Sequence, residues 1–242
     1  MNPDSSLEAV DPAYSGLYKV GGVAAFAVAV LTVVEVIFFI FYPQPSTVDG
    51  WFELFQGTPI IGLLDFWGLE ILMYVMFPLV FFALYVLLRE NHKSGMAIAF
   101  TFALLGIAIF FATNNPFSML SLSRKFAAAT TDVQRSTLLA AGEAILANTN
   151  QRAIGGFNIG LFLISTTGLI VSSVMLNTNT FGRLTAYIGI LAFGLSLADY
   201  FRQAFTSSIF IALLLILPGA FLIVVWFTLV GLRLLQLGRL EG

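Results

Sequence analysis

The chain has 242 residues, of which 59% are hydrophobic and 10% are charged, and its mean hydropathy is +0.94. Soluble proteins average roughly 45–50% apolar and 25% charged residues, so this composition indicates a membrane protein without a separate soluble domain. The formal net charge of -2, with no long basic block, excludes a nucleic-acid-binding protein. Cysteine is absent and His92 is the only histidine, which excludes thiolate, histidine-rich zinc and paired haem sites. We therefore expect neither a metal nor a cofactor.

Apolar stretches long enough to cross a bilayer recur along the chain. A helix needs about 20 apolar residues to span the hydrocarbon core. Six stretches reach that length: 17–42, 60–89, 95–114, 153–176, 183–203 and 208–236. The sequence predicts an all-α polytopic fold, a bundle of six transmembrane helices forming one membrane-embedded domain over residues 1–242. Pro78 and Pro218 lie inside the second and sixth stretches, where we expect a kink or a tilt.

The distribution of positive charge predicts the orientation. Six spans place both termini on one side, which also holds Lys19, Arg89, Lys93, Arg183, Arg233 and Arg239. The first loop on the opposite side, 43–59, contains no lysine or arginine. The positive-inside rule therefore predicts a cell-membrane protein with cytoplasmic termini. In this orientation Trp51, Phe52, Phe55 and Trp67 fit an aromatic belt at the outer interface.

Residues 115–152 form a connection that is too long for a turn, and we predict two helices within it. Asn115-Pro116 is typical of a helix start, and Thr131 with Gln134 forms a capping-box pattern. We expect an amphipathic helical hairpin on the outer side between helices 3 and 4. It either packs on lipid headgroups or covers the bundle as a lid. The lid is favoured because it would place Arg124 and Lys125 above acidic residues of the spans.

Nearly all ionisable and amide side chains within the spans lie toward their outer ends. A charge at the centre of a membrane helix costs on the order of 3 kcal/mol or more, so such residues usually face a cavity, a partner or a ligand. Glu35 lies about 10 Å below the outer end of its span. Glu35 and Glu70 each need a cation, a hydrogen-bond donor or a proton at this depth. The predicted ligand-binding residues are Glu35, Asp65, Glu70, Asn114, Asn158, Asp199 and Arg202, with Arg124 of the hairpin.

Some of these residues also have simple structural interpretations. Asp199 and Arg202 are three residues apart on one helix, so a local ion pair is the favoured interpretation for them. Asp65 fits a position at the water interface, and Asn158 fits a hydrogen bond to a neighbouring helix. For Glu35 and Glu70 together we favour a ligand or ion site.

Four segments of the chain carry a family resemblance. They are Ala13-Tyr14-Ser15-Gly16-Leu17-Tyr18, the long third connection, the glycine-bearing run Gly160 to Gly168 with Phe181-Gly182-Arg183-Leu184 and Gly189-Ile190-Leu191, and Leu217-Pro218-Gly219 with Trp226. With these segments the chain resembles a bacterial family of membrane proteins, domain of unknown function 4386. The resemblance covers almost the whole chain. It implies a six-helix membrane fold, no particular activity and no site residues.

The sequence leaves the function open between three hypotheses. The first is the binding of a lipid or an amphipathic small molecule in a polar pocket of the outer leaflet. The second is a structural membrane subunit that binds partner subunits, and the third is a secondary transporter or proton-coupled carrier. Membrane lipids are partners in each case. The chain contains no Walker loop, dinucleotide fingerprint, HExxH or Gly-x-Ser-x-Gly motif, so the sequence neither assigns nor excludes an enzyme.

Overall fold

A computed structural model describes residues 12–149, 159–206 and 208–239, and these ranges are all-α. A short 3₁₀ turn, Pro12–Tyr14, precedes α1. The α-helices are α1 Ser15–Phe41, α2 Val48–Gly57, α3 Pro59–Leu63, α4 Leu69–Leu88, α5 Lys93–Thr113, α6 Pro116–Ala127, α7 Asp132–Thr149, α8 Ile159–Met175, α9 Arg183–Phe205 and α10 Ile209–Arg239. A π-helical segment, Leu64–Gly68, joins α3 to α4. The predicted all-α class is confirmed.

Five helices are long and apolar enough to cross a membrane. They are Ser15–Phe41, Pro59–Leu88, Lys93–Ala127, Arg183–Gln203 and Ile209–Arg239. The third of these is interrupted at Asn114, where the backbone leaves helical geometry and α5 ends. Helix α8 is apolar but has only 17 described residues, and the start of its predicted span falls in 150–158, outside the described residues. The protein is therefore a multi-span membrane protein, and the count of six spans stays a prediction.

The long helices pack side by side in a ring. The order around the ring is α1, α4, α5, α8, α9 and α10. Each helix contacts the next one in this order, and α10 contacts α1. Small residues mark the closest approaches. Gly21 and Gly22 of α1 face α4 and α10, and Gly106 of α5 meets the main chain of Gly160 on α8. Membrane helices lack a hydrophobic drive to associate, so close packing of this kind holds them together.

Helices α2, α6 and α7 form a small layer at one end of the ring, which we call the capped end. The Ser123 hydroxyl of α6 donates to the Phe52 carbonyl of α2 at 2.8 Å. The Gln56 side-chain amide of α2 donates to the Ser123 carbonyl of α6 at 3.4 Å. Gly142 of α7 lies against Val48 and Phe52. The two helices of the predicted hairpin therefore pack together with a third helix, α2. The sequence predicts a loop over 43–59, where α2 forms.

The prediction of an aromatic belt is wrong. Trp51, Phe52 and Phe55 are at most 1% exposed and Trp67 is 9% exposed. The first three occupy one face of α2, and that face packs against α6 and the π segment instead of facing lipid headgroups. Composition alone does not separate these two roles, because both use amphipathic aromatic side chains near a helix end.

Both helices of the predicted hairpin form with their predicted caps. The Asn115 carboxamide oxygen accepts from Phe117 N–H at 3.0 Å, and the Thr131 hydroxyl accepts from Gln134 N–H at 3.2 Å. The helical period of the sequence predicts one apolar face for α7, formed by Val133, Thr137, Leu138, Ala141 and Ile145. This prediction is wrong in part, because Val133 is 75% exposed while Gly142 and Leu146 are buried. The packing face of α7 is set by the two helices that it contacts, α6 and α2.

Gly189 of α9 lies at a close contact with α8 and α10. A Cβ at this position of α9 would collide with Ser172 Oγ of α8 and Trp226 Nε1 of α10, both in the core. We expect Gly189→Ala to lower the free energy of unfolding in detergent by about 1–3 kcal/mol. Gly194→Ala is the matched control on the same helix, since nothing lies within 4 Å of its added Cβ. Equal stability of the two variants would contradict this packing.

Candidate functional site

The backbone of the π segment is strained at Trp67. Trp67 has φ 67° and ψ 5°, in the left-handed region, and Phe66 before it has φ -92° and ψ 70°. A non-glycine residue in this conformation costs on the order of 1–3 kcal/mol and persists only where its surroundings enforce it. The enforcing contacts are aromatic. Phe66 packs edge-on against Trp51 of α2, with ring centroids 4.9 Å apart, and Trp67 packs edge-on against Phe110 of α5 at 5.7 Å.

This irregular backbone holds Asp65 inside the protein. Asp65 is 0% exposed, so the interpretation of Asp65 as a residue at the water interface is wrong. The Gln44 side-chain amide, from the link between α1 and α2, donates to the Asp65 main-chain carbonyl at 3.1 Å and lies near its carboxyl group. Neither carboxyl oxygen of Asp65 makes a well-formed hydrogen bond to a described residue.

The carboxyl groups of Glu35 and Glu70 are in hydrogen-bonding contact between α1 and α4. The Thr32 hydroxyl donates to Met73 Sδ at 3.5 Å one turn away along both helices, so the register of the two helices brings the carboxyl groups together. Glu70 is 7% exposed, and its Oε2 has no hydrogen-bond partner among the described residues. Two carboxyl groups in contact must share a proton or hold a cation, because two bare carboxylates repel each other.

Tyr74 and Tyr200 extend the polar cluster across the ring. Tyr74 lies one turn after Glu70, its ring is stacked on Phe110 at 3.5 Å, and its buried hydroxyl has no partner among the described residues. It is within electrostatic range of Glu35, Glu70 and Tyr200. The Tyr200 hydroxyl of α9 hydrogen-bonds Ser165 of α8. Tyr74 was not among the predicted site residues, although its spacing of four from Glu70 places both on one helix face.

Asp199 and Arg202 form the local ion pair that their spacing predicts. Arg202 Nε donates to Asp199 Oδ1 at 2.6 Å, and both side chains are buried. Gln203 donates to the other Asp199 oxygen at 2.9 Å, and Arg202 Nη1 donates to the Thr206 carbonyl at 2.8 Å. Because the two charges compensate each other, this pair leaves the charge of the Glu35–Glu70 region unchanged.

The other predicted site residues lie around this cluster or outside the described residues. Asn114 is 2% exposed, donates to the Phe110 carbonyl at 3.0 Å and leaves its Oδ1 unpartnered among described residues. Arg124 is exposed on α6 and makes no ion pair with a described residue, so its role in binding stays a prediction. Asn158 lies outside the described residues.

The charge balance at the capped end is therefore acidic. Glu35, Asp65 and Glu70 converge from α1, the π segment and α4, and within the described ranges none of them pairs with a lysine, arginine or histidine. The rings of Trp67, Phe110 and Tyr74 line the adjacent interior. Carboxyl groups without a cationic partner suit an ammonium cation, which supplies the missing positive charge.

Comparison of the chain with family models, with curated proteins and with solved structures gives no match. The resemblance to domain of unknown function 4386 therefore rests on the sequence segments quoted above and stays a prediction.

The buried ion pair gives a stability prediction. Arg202→Met leaves Asp199 buried without its cation, and we expect a loss of about 3–5 kcal/mol in the free energy of unfolding. Adding Asp199→Leu should restore most of this loss, since an apolar pair needs no compensating charge. Unfolding titrations in detergent measure both variants. A single variant as stable as wild type would show that the pair is not a structural unit.

Proposed function

We propose that this membrane protein binds an amphipathic molecule through a positively charged headgroup. The observation that carries the proposal is the set of three converging carboxyl groups, Glu35, Asp65 and Glu70, without a cationic partner in the described ranges. The unpartnered hydroxyl of buried Tyr74 lies in the same region. Buried charge requires compensation, and a cationic headgroup supplies it. These polar groups favour a lipid or small molecule with an amine or quaternary ammonium.

The surroundings of Glu35 support entry from the lipid. Glu35 is itself partly exposed, and Val36 and Ile37 next to it on α1 are exposed apolar residues. A ligand whose head contacts Glu35 and Glu70 can therefore leave its tail along the apolar surface of α1. This arrangement supports an amphipathic ligand with part of its body in the bilayer, consistent with binding in one leaflet.

The alternatives have less support. A structural subunit would use the apolar outer surface of the ring, but lipid contact explains that surface equally well. A carrier would need a polar path to both membrane faces. The contact between Glu35 and Glu70 is a feature that favours proton-coupled transport, because a pair of carboxyl groups can exchange a proton.

A binding measurement tests the proposal. Dodecyltrimethylammonium, a permanent cation with an alkyl chain, is titrated below its micellar concentration into nanodiscs containing the protein, with empty nanodiscs as blank. We expect saturable binding, at least tenfold weaker for Glu70→Gln, because the variant removes a charge while keeping the shape. Glu53→Gln is the matched control, since Glu53 is exposed on α2. Dodecanol, the neutral comparison ligand, should not bind to this site. Equal binding by Glu70→Gln and wild type would contradict the proposal.

The proposal includes six spans with both termini in the cytoplasm and the capped end outside. The chain has no cysteine, so single cysteines report topology without background. Ser136 on α7 and Ser94 at the start of α5 are both exposed. In intact cells a membrane-impermeant maleimide should label Ser136→Cys, and Ser94→Cys only after permeabilisation. The reverse pattern would invert the orientation, and labelling of both in intact cells would refute the span count.

A further inference from the structure

We propose that the site binds its cation in exchange for the proton shared by Glu35 and Glu70, so that one proton is released for each cation bound. This inference rests on the proposed function and adds its coupling to pH. It starts from geometry: the two carboxyl groups come from different helices, α1 and α4, and are in direct contact. The Thr32–Met73 contact one turn away fixes the same helix register.

The exchange conserves charge. In the proposed exchange, the pair starts with one proton and one negative charge in total. When the cation enters, the O–H bond of the protonated carboxyl group breaks, its electron pair stays on the oxygen, and the proton leaves to water. Two carboxylates with one monovalent cation again carry one negative charge. A site at the level of the hydrocarbon favours a constant charge, because an added uncompensated charge is costly there.

Other ionisable groups lie around the pair. Asp65 of the π segment and Tyr74 of α4 are within electrostatic range of Glu70. On α9, Tyr200 is hydrogen-bonded to Ser165, while Asp199 is compensated by Arg202. Helix α10 also packs on α1, but its ionisable residues, Arg233 and Arg239, lie at the opposite end of the ring. Among the described residues, no lysine or arginine is therefore placed to replace the incoming cation.

Buried atoms without partners give independent support for a ligand at this place. Glu70 Oε2 and the Tyr74 hydroxyl are both buried without a hydrogen bond to a described residue, and Tyr74 is 1% exposed. Native proteins pair most buried polar atoms, and exceptions commonly mark a water, an ion or a ligand. A cation between the carboxyl groups would contact the first of these atoms and lie near the second.

Proton release can be counted by calorimetry. Dodecyltrimethylammonium cannot bind or release protons, so titrations at one pH in two buffers with different ionisation enthalpies report only protons of the protein. We expect about one proton released per cation by wild type, and an affinity that rises about tenfold per pH unit while the pair holds its proton. Glu53→Gln, the matched control, should release the same number.

Variants and controls separate the two proposals. In Glu35→Gln, the side-chain amide of residue 35 can donate a hydrogen bond to the Glu70 carboxylate, so no shared proton is needed. Any cation that this variant binds should therefore release close to zero protons. An unfolding titration of this variant shows that it is folded, and Glu70→Gln gives the reciprocal test. Binding by wild type without proton release, at an affinity independent of pH, would overturn the exchange and leave the proposed function standing. Absence of cation binding by wild type would overturn the proposed function itself.

Discussion

Hydrocarbon offers no hydrogen-bond partner to a polar group, and this constraint explains where the buried polar side chains of the described helices lie. In the described helices, apolar residues such as Val23, Ile37 and Phe221 face outward, while Asp65, Glu70 and Tyr74 are turned into the ring. Their own helices do not supply a partner for every carboxyl oxygen, since both oxygens of Asp65 and Oε2 of Glu70 lack one among the described residues. They meet between helices instead, and the contact of Glu35 with Glu70 joins α1 to α4 near the capped end.

The cap and the acidic cluster are parts of one arrangement. Trp51 and Phe55 of α2 pack against Phe66, and Trp67 after it is held in the left-handed conformation against Phe110. Phe110 is in turn stacked on Tyr74, next to the carboxyl pair. Aromatic contacts thus connect the cap with the interior polar groups. A helix irregularity supported in this way is typical of functional positions, because regular backbone would direct Asp65 elsewhere.

Much of this arrangement was readable from the sequence. Apolar run lengths predicted α1, α5, α9 and α10 within a few residues, while the single helix predicted over 60–89 is divided by the π segment. The positions of Glu35, Glu70, Asp199 and Arg202 predicted polar groups at one end and a local ion pair. These signals are local, since they depend on one helix and its cost in lipid. The cap helix α2 and the left-handed Trp67 were not predicted. Both depend on contacts between residues far apart in the chain, such as Ser123 with Phe52, which no single-segment pattern contains.

The pairing of Glu35 with Glu70 across two helices is the central claim, and a double-mutant cycle on the unfolding free energy tests it most directly. Glu35→Gln, Glu70→Gln and the double variant are unfolded in the same detergent. Residues in contact show coupling energies of about 0.5–3 kcal/mol, and the account predicts coupling in that range. Effects that add within about 0.5 kcal/mol would mean that the two carboxyl groups act independently, and the shared site would be contradicted.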